Sequence, residues 1–171
     1  IQAEGNIENR NNALRQSRTL QVESALRLGN FEEALEVSRD QVTNPRFSRR
    51  MDALDLATAT ARNKLRYGQA LLGAGKRTEA LVALRDAEDF YREQLGKGAS
   101  DTGFRQDFTR TLYHLSRAQA EDAAGRAARL ALLDEAMTLL GGLTIEAQQL
   151  RESKELIKWV TDSRREARAG E

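Results

Sequence analysis

Apolar residues return every third or fourth position along most of this chain, and charged residues fill the places between them. That is the period of helices with one buried face. The pattern is densest from Leu65 to Leu95. Leu65, Gly68 and Leu72 share one face, Gly73-Ala74-Gly75 interrupts it, and Ala80, Leu81, Leu84, Ala87, Tyr91 and Leu95 take it up again. Two amphipathic helices folded back through a tight turn account for this spacing. Gly68, Ala80 and Ala87 are small enough for the pair to approach closely, with Tyr67, Leu71 and Leu84 filling the space beside them.

The rest of the chain repeats the theme. Residues 1–12 are polar and Asn-rich, which predicts a linker or a frayed end. From about Ala13 a thin apolar face through Leu14, Leu20, Ala25, Leu26 and Leu28 predicts a helix closed by Gly29. Asn30 is placed to cap a second helix, with Glu33 completing a capping box, and Asn44-Pro45 stops that helix. Ser48 is the candidate cap of a third helix that runs to Leu72 along Met51, Leu54, Ala61 and Leu65. A fourth spans about Thr78 to Leu95, and Gly96 to Gly103 reads as a loop. Phe104, Phe108, Leu112, Leu115 and Ala118 mark a fifth helix that Gly125 breaks. Leu130, Leu133, Ala136, Met137 and Leu140 mark a sixth, ended by Gly141-Gly142. Thr144 caps a seventh, with Ala147, Leu150, Leu156, Ile157 and Val160 facing inward. Seven helices joined mostly by short turns predict an all-α fold of antiparallel hairpins over residues 13–168, with 169–171 as a tail.

Composition narrows this further. Aromatic residues make up only 5% of the 171 residues, so the core has to be built from Leu and Ala, both strong helix formers. A net charge of +1 shows no nucleic-acid footprint in the total. With no Cys and one His, disulfides, thiol chemistry and Cys/His metal sites are excluded. No apolar run approaches the roughly 18–20 residues that span a bilayer, so no membrane partner is expected. The chain opens on Ile1 rather than Met, which reads as a piece of a longer protein or a processed form, cytoplasmic by default.

Helix-breaking glycines recur at Gly29, Gly75 and Gly125, 46 and 50 residues apart, and the text around them rhymes: ALRLGNFEEALEV, ALLGAGKRTEALVAL, AEDAAGRAARLALLDEA. With these residues the chain resembles the tetratricopeptide repeat, whose unit pairs small and large apolar residues around a Gly turn and a Glu-Ala-apolar step. Tyr67-Gly68, Ala70, Leu71, Gly75, Glu79-Ala80-Leu81 and Ala87 match best. Gly29, Phe31 and Glu33-Ala34-Leu35 match in the first unit, while Leu115-Ser116 and Ala118 fit a degenerate third. The units exceed the roughly 34 residues of the standard repeat. The resemblance implies a right-handed α-α superhelix of about three hairpins, with the last helix as a cap. Arg151, Glu152, Lys154, Glu155, Lys158 and Asp162 would charge the outer side of that cap, and Trp159 lies beside its core face.

Candidate chemistry is sparse. Gly96-Lys97-Gly98 lacks the order of a phosphate-binding loop, since no Ser or Thr follows Lys97 and a helix precedes it. His114 has no orienting carboxylate nearby in sequence and reads as a surface or groove histidine. Glu32-Glu33 and Glu88-Asp89 read as helix-surface charges, because adjacent helical residues diverge. Arg46, Arg49 and Arg50, and again Arg164, Arg165 and Arg168, cluster without the aromatic platforms of a single-strand binder. No catalytic residue, metal or cofactor is assigned.

What remains is a surface. The family's first helices line a concave groove that holds peptides or helices, and the resemblance places Glu23, Arg62, Gln69, Arg110, Tyr113 and Arg117 in it. Arg62, Arg110 and Arg117 would make one end basic and suit an acidic or carboxylate-bearing partner, unless they are spent on local salt bridges. Glu23 and Gln69 stand where the carboxylate-clamp members of the family need Asn, so that activity is not supported. The expected role is a non-catalytic protein–protein interaction module, its partner a peptide, a helix or another domain of the same chain. Alternatives are a regulatory or sensor domain of a larger bacterial protein, suggested by the Ala- and Arg-rich text, or a self-assembly module.

Overall fold

A computed structural model describes residues 2–45 and 51–169. Among these residues all regular structure is helical: α1 Gln2–Leu28, α2 Phe31–Thr43, α3 Ala53–Gly73, α4 Arg77–Gly96, α5 Thr102–Ala118, α6 Ala123–Gly141, α7 Ile145–Gln149 and α8 Arg151–Ala169. Four helix starts are fixed by side chains that accept a bond from the amide three residues on. Asp52 holds Asp55 at 2.8 Å, Asp101 holds Phe104 at 2.9 Å, Asp122 holds Gly125 at 2.7 Å and Thr144 holds Ala147 at 3.2 Å. At Asn30 the predicted box does not form as drawn. Asn30 occupies the cap position without a side-chain cap bond, and its Nδ2 donates to Glu33 Oε2 at 2.7 Å instead. Ser48 and the basic cluster Arg46, Arg49 and Arg50 lie outside the described residues.

The helices pack as two units, Ile1–Ala87 and Glu88–Glu171, divided inside α4. The first unit is built on a repeat 46 residues long. Gly29 and Gly75 both have positive φ, +73° and +75°, and each closes a helix with the same pair of bonds. Asn30 and Lys76 reach back to the carbonyls of Ala25 and Leu71, while Gly29 and Gly75 reach those of Leu26 and Leu72. The ion pair between Arg18 of α1 and Asp40 of α2 recurs at Lys64 of α3 and Asp86 of α4, at 2.8 Å in the second copy. Ala34 and its counterpart Ala80 are both fully buried. Contacts between successive helices keep a common step: Arg18–Asp40, Thr19–Gln41, Gln41–Asn63 and Lys64–Asp86 each join residues 22 apart. Glu23 and Arg66, on alternate helices, are 43 apart.

The second unit is centred on α5, which packs against α6 on one side and α8 on another. Tyr91, Phe104 and Phe108 form its aromatic cluster, with Tyr91 stacked on Phe108 and edge-on to Phe104, both at 5.7 Å between centroids. Leu112, Leu115, Leu133, Leu140, Leu156 and Val160 complete the apolar core. Arg92 binds Glu88 at 2.7 Å and Glu135 at 2.8 Å, tying α4 to α6 over a step of 43 residues.

Four features differ from the sequence reading. The stretch predicted as a linker is helical, because α1 begins at Gln2. Once a helix is nucleated over its Ala/Leu part it propagates at one bond per residue, and no Pro stops it here. Gly125 does not break a helix: α5 ends at Ala118, and Gly125 sits in the first turn of α6. Its hydrogen faces the backbone of Ala120, where a Cβ would lie 2.1 Å from the carbonyl oxygen. The predicted seventh helix is two, because Leu150 turns to an extended conformation between α7 and α8 and is exposed, not inward-facing. Leu54, expected on the inner face of the third helix, is exposed as well.

The close approach expected at Gly68 is present. A Cβ there would lie 2.5 Å from Cγ of Leu84, a side chain with no exposure and no room to retreat. Gly68→Val is expected to lower unfolding stability by about 1–3 kcal/mol in urea melts through overpacking. Combining it with Leu84→Ala should cost less than the two single losses added together. Strict additivity would show that α3 and α4 do not meet there.

Candidate partner-binding surface

The candidate groove residues fall in both units. In the first, Glu23 is half-buried on α1 and its Oε1 accepts from Arg66 Nη2 at 2.8 Å and Nε at 3.2 Å. It therefore serves as a tie between α1 and α3. Arg62 is exposed and Gln69 half-buried on α3, and with Arg66 between them the three share one helical face. The structure thus brings Glu23, Arg62 and Gln69 to the α1 and α3 side of this unit.

In the second unit Arg110, Tyr113 and Arg117 occupy successive turns along one face of α5. Arg110 is mostly buried, its guanidinium held by Asp107 at 3.1 Å and by Glu152 of α8 at 2.5 Å. For this arginine the salt-bridge alternative holds. Tyr113 stacks on Trp159 of α8, centroids 5.7 Å apart and planes 26° apart. Arg117 is exposed, its guanidinium 5.9 Å from the centre of the Tyr113 ring, and among the described residues it makes no ion pair. Of the two arginines on this face of α5, Arg117 is the one left exposed. Trp159, 40% exposed, is a member of this surface that the sequence reading placed only beside the core face. Its signal lay in its neighbours, since it sits among the outward-facing charges of α8.

Two single-residue readings are overturned by burial. His114 is not at the surface: it is 8% exposed, edge-on to Tyr113 at 5.0 Å. Burial first, then the charges of Arg117 and Arg110, push its pKa down to about 3, so it stays neutral at physiological pH. Glu88 is not a surface charge either, being 3% exposed and bonded to Arg92. Glu33 accepts from Gln21 at 2.9 Å as well as from Asn30.

The remaining motifs resolve into structure. Gly96-Lys97-Gly98 is the C-terminal end of α4, where Gly98 has positive φ and Lys97 pairs with Glu93 at 2.5 Å. A helix C-terminus presents carbonyls, the wrong polarity for phosphate. Arg164 and Arg168 face Asp134, and Arg165 faces Asp162, so the basic tail is compensated. Among the described residues no group of three or more His, Asp or Glu is placed to hold a metal, and no helix is long and apolar enough to cross a membrane.

The burial of His114 carries a pH signature. Its folded pKa lies below the ordinary 6.5, so the unfolded chain takes up the proton first as pH falls. Its contribution to stability is complete above 6.5 and is lost progressively below it, by about 1.4 kcal/mol per pH unit. Urea melts between pH 7 and pH 4 should show that slope, reduced in His114→Leu. Equal slopes for the two proteins would contradict a buried neutral imidazole.

Comparison with protein-family models, with curated proteins and with solved structures finds no match to this chain.

Proposed function

We propose that this chain is a non-catalytic, tetratricopeptide-like interaction module, its hairpins wound as a right-handed superhelix and closed by α8, that holds an acidic peptide segment or helix of a partner. The observation that carries this reading is the 46-residue recurrence in the first unit. The turn at Gly29 returns at Gly75, and the Arg18–Asp40 pair returns at Lys64–Asp86. A repeat of that kind generates like surfaces from like helices, and such surfaces bind extended or helical segments. Support for an acidic partner comes from Arg117, exposed among the candidate groove residues and without an ion pair among the described residues. The outer side of α8, where Arg151, Glu152, Lys154 and Lys158 are exposed, suits an end cap.

The test is sedimentation over a wide concentration range, followed by calorimetric titration with panels of acidic, neutral and basic peptides. The expected result is a monomer that binds the acidic panel, with Arg62→Glu and Arg117→Glu each weakening binding about tenfold or more. A dimer that dilution or these reversals dissolve would replace this reading with self-assembly. A monomer that binds the basic panel equally well would remove the electrostatic basis of the proposal.

A further inference from the structure

The surface shared by α5 and α8 has two features that its own packing leaves unused. The first is Trp159, the only Trp in the chain, which keeps 40% of its surface exposed although Tyr113 fixes its ring by stacking. An indole held rigid and half out of water loses little entropy on meeting a further apolar group. The second is Arg117. Every other arginine of α5 and α8 has an oxygen partner: Arg105 donates to the carbonyls of Ser100 and Leu139, and Arg110 binds Asp107 and Glu152. Arg151 binds Glu155, Arg164 and Arg168 face Asp134, and Arg165 faces Asp162. Arg117 alone has none among the described residues: it is exposed, with its Cζ 5.9 Å from the centre of the Tyr113 ring.

Resting on the interaction-module reading above, we propose that Tyr113, Arg117 and Trp159 form an anchor for a peptide in which an acidic side chain neighbours an apolar one. The carboxylate takes two parallel bonds from Arg117, and the apolar neighbour covers the Trp159 and Tyr113 rings. Charge selects the occupant. The α8 carboxylates within two turns before Trp159 and one turn after it are engaged, Glu152 with Arg110, Glu155 with Arg151 and Asp162 with Lys158, which leaves Arg117, among the described residues, as the unpaired charge beside the two rings.

Because Trp159 is the sole indole, its emission reports this place and no other. The probes are the capped pentapeptides acetyl-Leu-Asp-Phe-Asp-Leu-amide and its counterpart with Lys at both Asp positions. The acidic peptide is expected to shift Trp159 emission saturably, and the lysine peptide is not. Arg117→Gln should weaken the response at least about tenfold, Arg117→Lys should retain part of it, and Arg151→Gln on the outer side of α8 should leave it unchanged. Trp159→Phe, with helicity checked by circular dichroism, should weaken calorimetric binding severalfold. An equal response to the lysine peptide overturns the anchor. Calorimetric binding of the acidic peptide with unmoved emission and no effect of Arg117→Gln overturns the anchor but spares the wider module reading. Silence by both methods with both peptides overturns the two together.

Discussion

A core built from alanine and leucine sets the terms for this chain. Alanine fills little space, so helices that bury Ala34, Ala61, Ala70 and Ala80 must draw their backbones together before the apolar surfaces meet. At Gly68 even a methyl is too much, because Leu84 occupies the place where it would go. Close approach has a second consequence: polar side chains at the margins reach the neighbouring helix and lock its register. Arg18–Asp40 and Lys64–Asp86 are such locks at the surface, Asn63 donating to the Gln41 carbonyl is a buried one, and their shared step of 22 residues follows from helices packed in one manner. Exposed pairs of this kind contribute little energy individually. Their value here is in alignment, with burial supplying the stability.

The second unit solves the same problem with more aromatic volume. Tyr91, Phe104 and Phe108 fill the space that alanines leave elsewhere, and Arg92 lies over Phe108 at 5.7 Å while binding Glu88 and Glu135. Glu135, ahead of Glu88, holds this guanidinium well above its ordinary value. The buried end of the network is Glu88, which is where a lost partner would be felt most, because a carboxylate out of water needs its counter-charge.

The elements that could be read from sequence are those governed by local physics. The turns at Gly29 and Gly75 were visible because positive φ all but demands glycine, and Thr144 because a hydroxyl before a helix caps it. What local pattern could not show is how many sides of a helix are covered. The spacing of Phe104, Phe108, Leu112 and Leu115 marks one apolar face of α5, which implies that the opposite face is wet. Instead Gln106, Thr109, Thr111, His114 and Ser116 are buried as well, and Gln106 meets Ser153 of α8 at 3.0 Å. His114 was misread for this reason. Gly125 was misread for another: a glycine needed for close approach to Ala120 and a glycine needed to end a helix look alike in sequence. The break at Leu150 left no Gly or Pro to announce it.

The same coverage shapes the candidate site. By lying along α5, α8 takes Arg110 out of play through Glu152, and at the same time supplies Trp159 to stack on Tyr113. One helix thus removes a charge and adds an aromatic platform. On α5, where the sequence offered Arg110, Tyr113 and Arg117, the structure leaves Arg117 exposed near two stacked rings. Recognition on such a surface depends less on net charge than on direction. In the proposed anchor Arg117 would give a carboxylate two parallel donors, and the rings would favour an apolar group arriving with it. An acidic polymer carrying charge alone would meet only half of that surface, whereas a peptide presenting both groups would meet the whole.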